Sequence, residues 1–282
     1  MVLKLLRGKE VADGIKNQIS DEIVELNKEG KIPLLGIVRL GDDPSDISYE
    51  KSIVKNCDSL GIKTRVEVLD RQIDTNGLLI KIDELNRDEL VSGILVFRPL
   101  PNHIDEDKVR KHLDPMKDVD CMHPLNLEKI FEGDSAGFAP CTPKAAMEIL
   151  AHYKISLEGK KVVVINRSMV VGKPLAMMLL EKNATVTICH SRTKNLADIT
   201  KKADIVVTGL GKAKFFGDKY FNKDSVVIDV GVSLDEEGKY SGDVDIDKVR
   251  DMVSMITPVP GGVGSVTTSI LLKQVVEASK LS

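Results

Sequence analysis

Neither sign of charge dominates this 282-residue chain: 40 lysines and arginines stand against 43 aspartates and glutamates, a net charge of −3. A nucleic-acid-binding protein needs a basic excess or a basic face to meet phosphates, so the balance gives that class no support. Only four cysteines occur, Cys57, Cys121, Cys141 and Cys189, and no two form a Cys-x-x-Cys pair. That argues against zinc ribbons and thioredoxin-type redox centres; no metal site is expected, and the cysteine usage reads as that of a reducing, cytoplasmic compartment. No uncharged run reaches the ~18 apolar residues that a bilayer span requires. The opening Met-Val-Leu-Lys-Leu-Leu-Arg-Gly also lacks the long apolar core of a secretory signal. Internal repeats, low-complexity tracts and flexible linkers are absent too.

What is present is an ordinary globular composition, 42% apolar and 29% charged. The length exceeds the usual single domain, so two domains or one large α/β unit are expected. Val11, Ile15, Ile19, Ile23 and Leu26 recur at steps of three and four, which predicts an amphipathic helix. Strand is predicted for residues 33–40, helix for 45–60 ending at Gly61, strand for 64–69, helix for 77–85 and strand for 93–97. The pattern then restarts, with strands at 161–165, 185–189, 205–208 and 226–230, a helix at 171–182 and a closing helix at 265–281. Alternation of this kind implies parallel sheets covered on both faces, with ligands outside the carboxyl ends of the strands. The boundary is expected between residues 115 and 140, and is drawn at 120, giving domains 1–120 and 121–282.

The strand at 161–165 runs into Asn166-Arg167-Ser168-Met169-Val170-Val171-Gly172-Lys173-Pro174 and then into a helix, the setting of a dinucleotide-phosphate loop without the G-x-G-x-x-G pattern. Asn166 is expected to take the left-handed turn position, Gly172 to let helix and strand pack closely, and free amides at the helix start to face a pyrophosphate. An ordinary strand-to-helix turn would give the same local pattern. The next strand ends in Cys189-His190-Ser191-Arg192-Thr193, where a NAD enzyme would place a carboxylate. Arg167, Ser168, Ser191 and Arg192 instead supply donors for a 2′-phosphate, which favours NADP; taken singly, each arginine reads equally as a solvated surface charge. Pro258-Val259-Pro260-Gly261-Gly262-Val263-Gly264 is a stiff segment followed by glycines that let backbone approach a flat ligand. Tyr49 and Asp120, each unremarkable alone, stand at a helix start and at the expected interdomain hinge.

Together these segments resemble the bifunctional methylenetetrahydrofolate dehydrogenase/methenyltetrahydrofolate cyclohydrolase family along nearly the whole chain. The resemblance rests on Gly41-Asp42-Asp43-Pro44 with Tyr49, on Gly93-Ile94-Leu95-Val96 with Pro99-Leu100-Pro101, and on Lys117-Asp118-Val119-Asp120. It continues through Pro140-Cys141-Thr142-Pro143, Arg167-Ser168 with Val171-Gly172-Lys173-Pro174, Val227-Ile228-Asp229-Val230-Gly231, Gly242-Asp243-Val244 and Thr257 to Gly264. It implies two α/β domains, the second Rossmann-like, with a folate cleft between them, the last helix (265–282) returning to the first domain, and a homodimer. Tyr49 and Asp120 would be catalytic and, with Leu100, Pro101, Pro260, Gly261 and Gly262, would bind a tetrahydrofolate derivative. Asn166, Arg167, Ser168, Gly172, Ser191, Arg192 and Val232 would bind NADP.

Three positions depart from the family. Its lysine, four residues after the tyrosine, is Ile53; its glutamine after Gly-Ile-Leu-Val is Phe97, with Arg98 next; and Asn166 replaces a glycine. Lys51 and Lys55 lie about 200° around a helix from position 53 and do not obviously substitute. Oxidising 5,10-methylenetetrahydrofolate removes a hydride and needs chiefly positioning, whereas hydrolysing the methenyl product needs proton transfers. The expectation is an NADP-dependent dehydrogenase of one-carbon metabolism with weak or absent cyclohydrolase activity. A catalytically retired folate- or nucleotide-binding protein and an unrelated two-domain dehydrogenase are the alternatives.

Overall fold

The computed structural model describes residues 3–134 and 136–281, so Met1 and Val2 of the opening segment and Ser282 of the last domain range lie outside the described residues. The chain runs β1 (Lys4–Leu5), α1 (Gly8–Lys28), β2 (Leu34–Leu40), α2 (Pro44–Leu60), β3 (Lys63–Leu69), α3 (Thr75–Arg87), β4 (Gly93–Val96), α4 (Glu106–His112), α5 (Pro124–Glu132) and α6 (Cys141–His152). It continues with β5 (Lys161–Ile165), α7 (Gly172–Glu181), β6 (Thr185–Cys189), α8 (Leu196–Thr200), β7 (Ile205–Thr208), β8 (Val226–Asp229), β9 (Ser233–Leu234), β10 (Tyr240–Ser241), α9 (Ile246–Val249), β11 (Met255–Ile256) and α10 (Val263–Ser279). Contacts divide it into two units, neither continuous in sequence: residues 14–139 with 268–282, and residues 1–13 with 140–267.

The first unit is built on a three-stranded parallel sheet, β3-β2-β4. Its central strand β2 carries Leu35, Ile37 and Val38 with no exposed surface, as a strand covered on both faces requires. Helix α2 starts where Asp43 accepts the Ser45 amide at 2.9 Å and Pro44 occupies the first turn. It stops at Gly61, whose φ of +80° favours a residue without Cβ. Val38, Leu78, Ile82, Leu85, Ile94 and Val96 form the core. An isolated parallel bridge, Ile94 to Asp118, lays the segment after α4 beside β4. Buried Asp118 ties down the turn that follows, accepting the Met122 and His123 amides at 2.8 and 2.7 Å and the Asn126 side-chain amide at 2.9 Å. Burial pushes its pKa up to about 6 despite these donors. Gln274 of α10, fully buried, donates to the Val119 and Ala139 carbonyls at 2.7 and 3.0 Å and accepts the Ala139 amide at 3.1 Å. Contacts thus carry this unit through Ala139, past the sequence division at residue 120.

The second unit holds a six-stranded sheet in the order β1-β11-β8-β7-β5-β6, every pair parallel. Val163, Ile165, Val206, Val227, Phe216 and Phe221 fill its core. From β5 the chain steps outward to β6 and then returns to place β7 on the other side. The carboxyl ends of β5 and β7 therefore flank the point at which strand order reverses, where doubly wound sheets bind ligands.

Candidate functional site

In the first unit, the chemistry-bearing residues gather at the carboxyl end of β4 and on α2. A buried ion pair anchors α2: Arg39 Nε of β2 donates to Glu50 at 2.6 Å, and its Nη1 also reaches the Gly41 carbonyl. With both partners almost wholly enclosed, removing either would strand a buried charge. On the helix so fixed, Tyr49 is partly exposed and its ring lies 5.4 Å from that of Phe97, tilted by 39°. One turn on, Ile53 is 0% exposed. Lys51 and Lys55 are exposed. Next to Phe97, Arg98 Nη2 donates to Asp120 Oδ2 at 2.8 Å, the side chains being 19% and 27% exposed. Pro101 is partly buried, whereas Leu100 packs into the core with Ile94 and Val96. Tyr49, Phe97, Arg98 and Asp120 therefore make one continuous group. The Arg39–Glu50 and Arg98–Asp120 pairs had no sequence signal, since their partners lie 11 and 22 residues apart.

In the second unit, pairing of Ile165 with Cys189 sets the loops after β5 and β6 side by side. Arg167, Ser168, Ser191 and Arg192 are exposed on them, with no carboxylate at the end of β6. The loop after β5 differs from expectation in two respects. The described non-glycine residues with left-handed backbone are Cys121, Lys154, Asn183, Asn195 and Lys214, so Asn166 is not in that conformation. Its side chain works instead: Oδ1 accepts the Ser168 and Gly172 amides at 2.8 and 3.1 Å, and Nδ2 donates to the Gly209 carbonyl at 2.6 Å. The Gly172 amide expected to face a pyrophosphate is thus already engaged, and Val171 N is taken by Ser168 Oγ at 3.1 Å. Asn166 clips the loop after β5 to the loop after β7, across the switch point. A Cβ on Gly172 would stand 2.0 Å from the Asn166 carbonyl oxygen, so close packing does require glycine there.

Pro258 to Ser265, with Asp229, Val230, Val232 and Tyr240, line a cavity of about 300 Å³. This gathers Val232, Pro260, Gly261 and Gly262 and adds Tyr240, which the β9–β10 hairpin supplies without any sequence cue. Gly261 has φ +100°, and a Cβ on Gly262 would meet the Pro258 carbonyl at 2.4 Å. Behind it two buried carboxylates interlock. Asp229 accepts the Gly231, Asp243 and Val244 amides at 3.0, 3.2 and 2.8 Å, while Asp243 accepts Thr208 Oγ1 at 2.6 Å and the Leu210 and Lys212 amides. Burial pushes Asp229 up to about 7, with the Asp243 charge adding to the rise against the three amides. Among the described residues, no group of three or more His, Cys, Asp or Glu could hold a metal ion, and no helix is long and apolar enough to cross a membrane.

A doubly wound parallel sheet with clipped loops at its switch point, carried in one chain with a smaller parallel α/β unit, defines a two-domain α/β protein of the dinucleotide-binding class. Residues 6–120 match the family description "Tetrahydrofolate dehydrogenase/cyclohydrolase, catalytic domain", and residues 140–282 match its "NAD(P)-binding domain". The chain belongs to the tetrahydrofolate dehydrogenase/cyclohydrolase family. It is similar to the bifunctional protein FolD of Clostridium botulinum, with 55% identity over 277 residues covering 98% of each chain. Among solved structures, the bifunctional FolD methylenetetrahydrofolate dehydrogenase/cyclohydrolase of Campylobacter jejuni superposes with a TM-score of 0.97 at 40% identity, covering 99% of both chains. The Trypanosoma brucei enzyme, complexed with NADP cofactor and inhibitor, gives 0.94 at 32% identity, covering 100% of this chain and 98% of its own.

Proposed function

We propose that this protein oxidises 5,10-methylenetetrahydrofolate to 5,10-methenyltetrahydrofolate with NADP, in one-carbon metabolism, and that its methenyltetrahydrofolate cyclohydrolase activity is weak or absent. The observation that carries the second clause is Ile53, 0% exposed one turn from Tyr49, with Phe97 against the Tyr49 ring. Neither hydrocarbon can move a proton. Hydride loss from the methylene carbon leaves a cation stabilised by the two flanking nitrogens, so no base is required and positioning suffices. Tyr49 borders the pteridine and Asp120 accepts hydrogen bonds from its polar edge. NADP, when bound, accepts the hydride.

The residues fit that cofactor: Arg167, Ser168, Ser191 and Arg192 offer exposed donors on adjacent loops where a carboxylate would repel a 2′-phosphate. Val232 and the Pro260-Gly261-Gly262 loop supply apolar and backbone surface to flat ligands. In this reading residues 14–139 carry Tyr49, Leu100, Pro101 and Asp120 for the folate, and residues 140–267 carry the NADP groups together with the Pro260-Gly261-Gly262 loop. A homodimer acting in the cytoplasm belongs to the same reading, supported by the family resemblance. The test is a paired assay on the purified protein, NADPH formation from 5,10-methylenetetrahydrofolate against hydrolysis of methenyltetrahydrofolate. Absence of NADPH overturns the proposal, and tight folate or NADP binding without turnover would select a retired binding protein.

A further inference from the structure

Position 53 has lost a cation, yet the same group of residues holds another: Arg98, in direct contact with Asp120. The fold forces the two together. The Ile94–Asp118 bridge runs the Asp118–Asp120 segment parallel to β4, so residues just past Val96 and Asp120 emerge at the same carboxyl end of the sheet. Both side chains are partly enclosed but neither is sealed off, at 19% and 27% exposure, and the residue before Arg98 is Phe97, whose ring packs on Tyr49. A guanidinium carries five N–H donors in a fixed fork, and the contact to Asp120 engages one nitrogen. The pair presents a carboxylate acceptor next to a permanent donor.

That pattern complements one edge of the pteridine ring. A 2-amino-4-oxopteridine shows two donors in succession, the 2-amino group and N3–H, followed by an acceptor, the C4 carbonyl. A carboxylate alone can satisfy the donors and leaves the carbonyl unmet. We propose that Arg98 is a specificity-determining residue that donates to the C4 carbonyl while Asp120 accepts from the 2-amino and N3 groups, so the ion pair as a unit fixes the orientation of the ring. This rests on the reading of Asp120 as a folate contact. Arg98 cannot take up a proton at any working pH, so it positions the substrate without replacing the lysine in hydrolysis.

Equilibrium binding of tetrahydrofolate and of its 4-amino-4-deoxy counterpart, to the wild type and to Arg98→Leu and Arg98→Lys, tests the idea without depending on turnover. A charge-assisted hydrogen bond corresponds to roughly 10–150-fold in affinity. The wild type should prefer the 4-oxo ligand, Arg98→Leu should lose at least about tenfold of that preference, and Arg98→Lys should retain part of it. In turnover, Arg98→Leu should raise KM for 5,10-methylenetetrahydrofolate by a similar factor while kcat and KM for NADP stay within about twofold. An equal 4-oxo preference in wild type and Arg98→Leu overturns the proposal, as does a wild type that binds both ligands equally. Should Arg98→Leu not fold, the same comparison of the 4-oxo preference in wild type with that in Arg98→Lys and Arg98→Gln decides the matter, an unchanged preference in both overturning the proposal. A wild type that binds neither ligand refutes the folate reading itself, a distinct result.

Discussion

Restoring the missing proton chemistry is the most demanding perturbation, and Ile53 sets its magnitude. Its side chain is 0% exposed, so Ile53→Lys places a buried ammonium one turn from Tyr49, whose ring packs on Phe97. Full burial lowers a lysine pKa by up to about 3–5 units from ~10.4. At ~1.36 kcal/mol per unit, the cost approaches about 4–7 kcal/mol, comparable with the whole stability of a typical domain. A folded-state pKa depressed in this way destabilises fully below that pKa and not at all above ~10.4, so the single variant should gain stability as pH rises from 7 to 10. Adding Phe97→Gln replaces the ring by an amide that can hydrogen-bond the ammonium, and the double variant should be the more stable at pH 7. Its hydrolysis of methenyltetrahydrofolate should rise by about 10²–10⁴-fold, the usual range for general acid–base assistance, with NADPH formation changed severalfold at most. The assay follows loss of methenyltetrahydrofolate absorbance beside NADPH production between pH 6 and 9. Hydrolysis by the unaltered protein comparable with its dehydrogenase turnover would refute the reasoning, because another group would then be moving the protons.

Reversing the charge at Arg167→Glu should raise KM for NADP by roughly 10–150-fold and KM for NAD far less; equal effects on both cofactors would remove Arg167 from the 2′-phosphate. Replacing Asn166 by Ala breaks three hydrogen bonds across the switch point, and should destabilise the fold by about 1–3 kcal/mol while raising KM for NADP. A variant with unchanged melting and KM would show that the clip is dispensable. Asp118 and Asp229 titrate near 6 and 7, raised chiefly by burial, so their contribution is fully present below about pH 4 and is lost as pH rises through those values. The unfolding free energy from urea titrations should accordingly fall between pH 5 and pH 8, by on the order of 1–3 kcal/mol for each carboxylate, and a rise over that interval would contradict the burial argument.

Strands β5 and β7 begin and end where the sequence places them, because unbroken runs such as Val162-Val163-Val164-Ile165 leave one conformation that buries them in a doubly covered sheet, while the edge strand β6, Thr185–Cys189, buries only its last residue fully and is marked by its β-branched residues. Strands β1 and β11 have two residues each, too few to show any period, and exist because a neighbour offers free backbone groups. Helices α4, α5, α6, α8 and α9 carry little sequence signal for a related reason: short or Pro-bordered, they draw their stability from packing. At the site, residue types were legible but their partners were not. Asn166 reads as a turn former, yet its value lies in a carboxamide reaching Gly209, 43 residues away. Nothing in the sequence joins Arg98 to Asp120, 22 residues on, until the Ile94–Asp118 bridge brings them together.

The discontinuity of both units bears on how the chain is made. A ribosome delivers Lys4 and Leu5 early, but the strand they pair with, Met255–Ile256, is synthesised about 250 residues later. Likewise Gln274 donates to the Val119 and Ala139 carbonyls and accepts the Ala139 amide only once the last helix has been made. Such long-range closure slows folding and leaves edges uncovered during synthesis, when unpaired strands are most prone to stick to one another. A stop codon at or before Gln274 would thus remove that helix's hydrogen bonds to Val119 and Ala139, and cutting the gene at the apparent boundary would yield two fragments, each wanting a piece encoded at the opposite end.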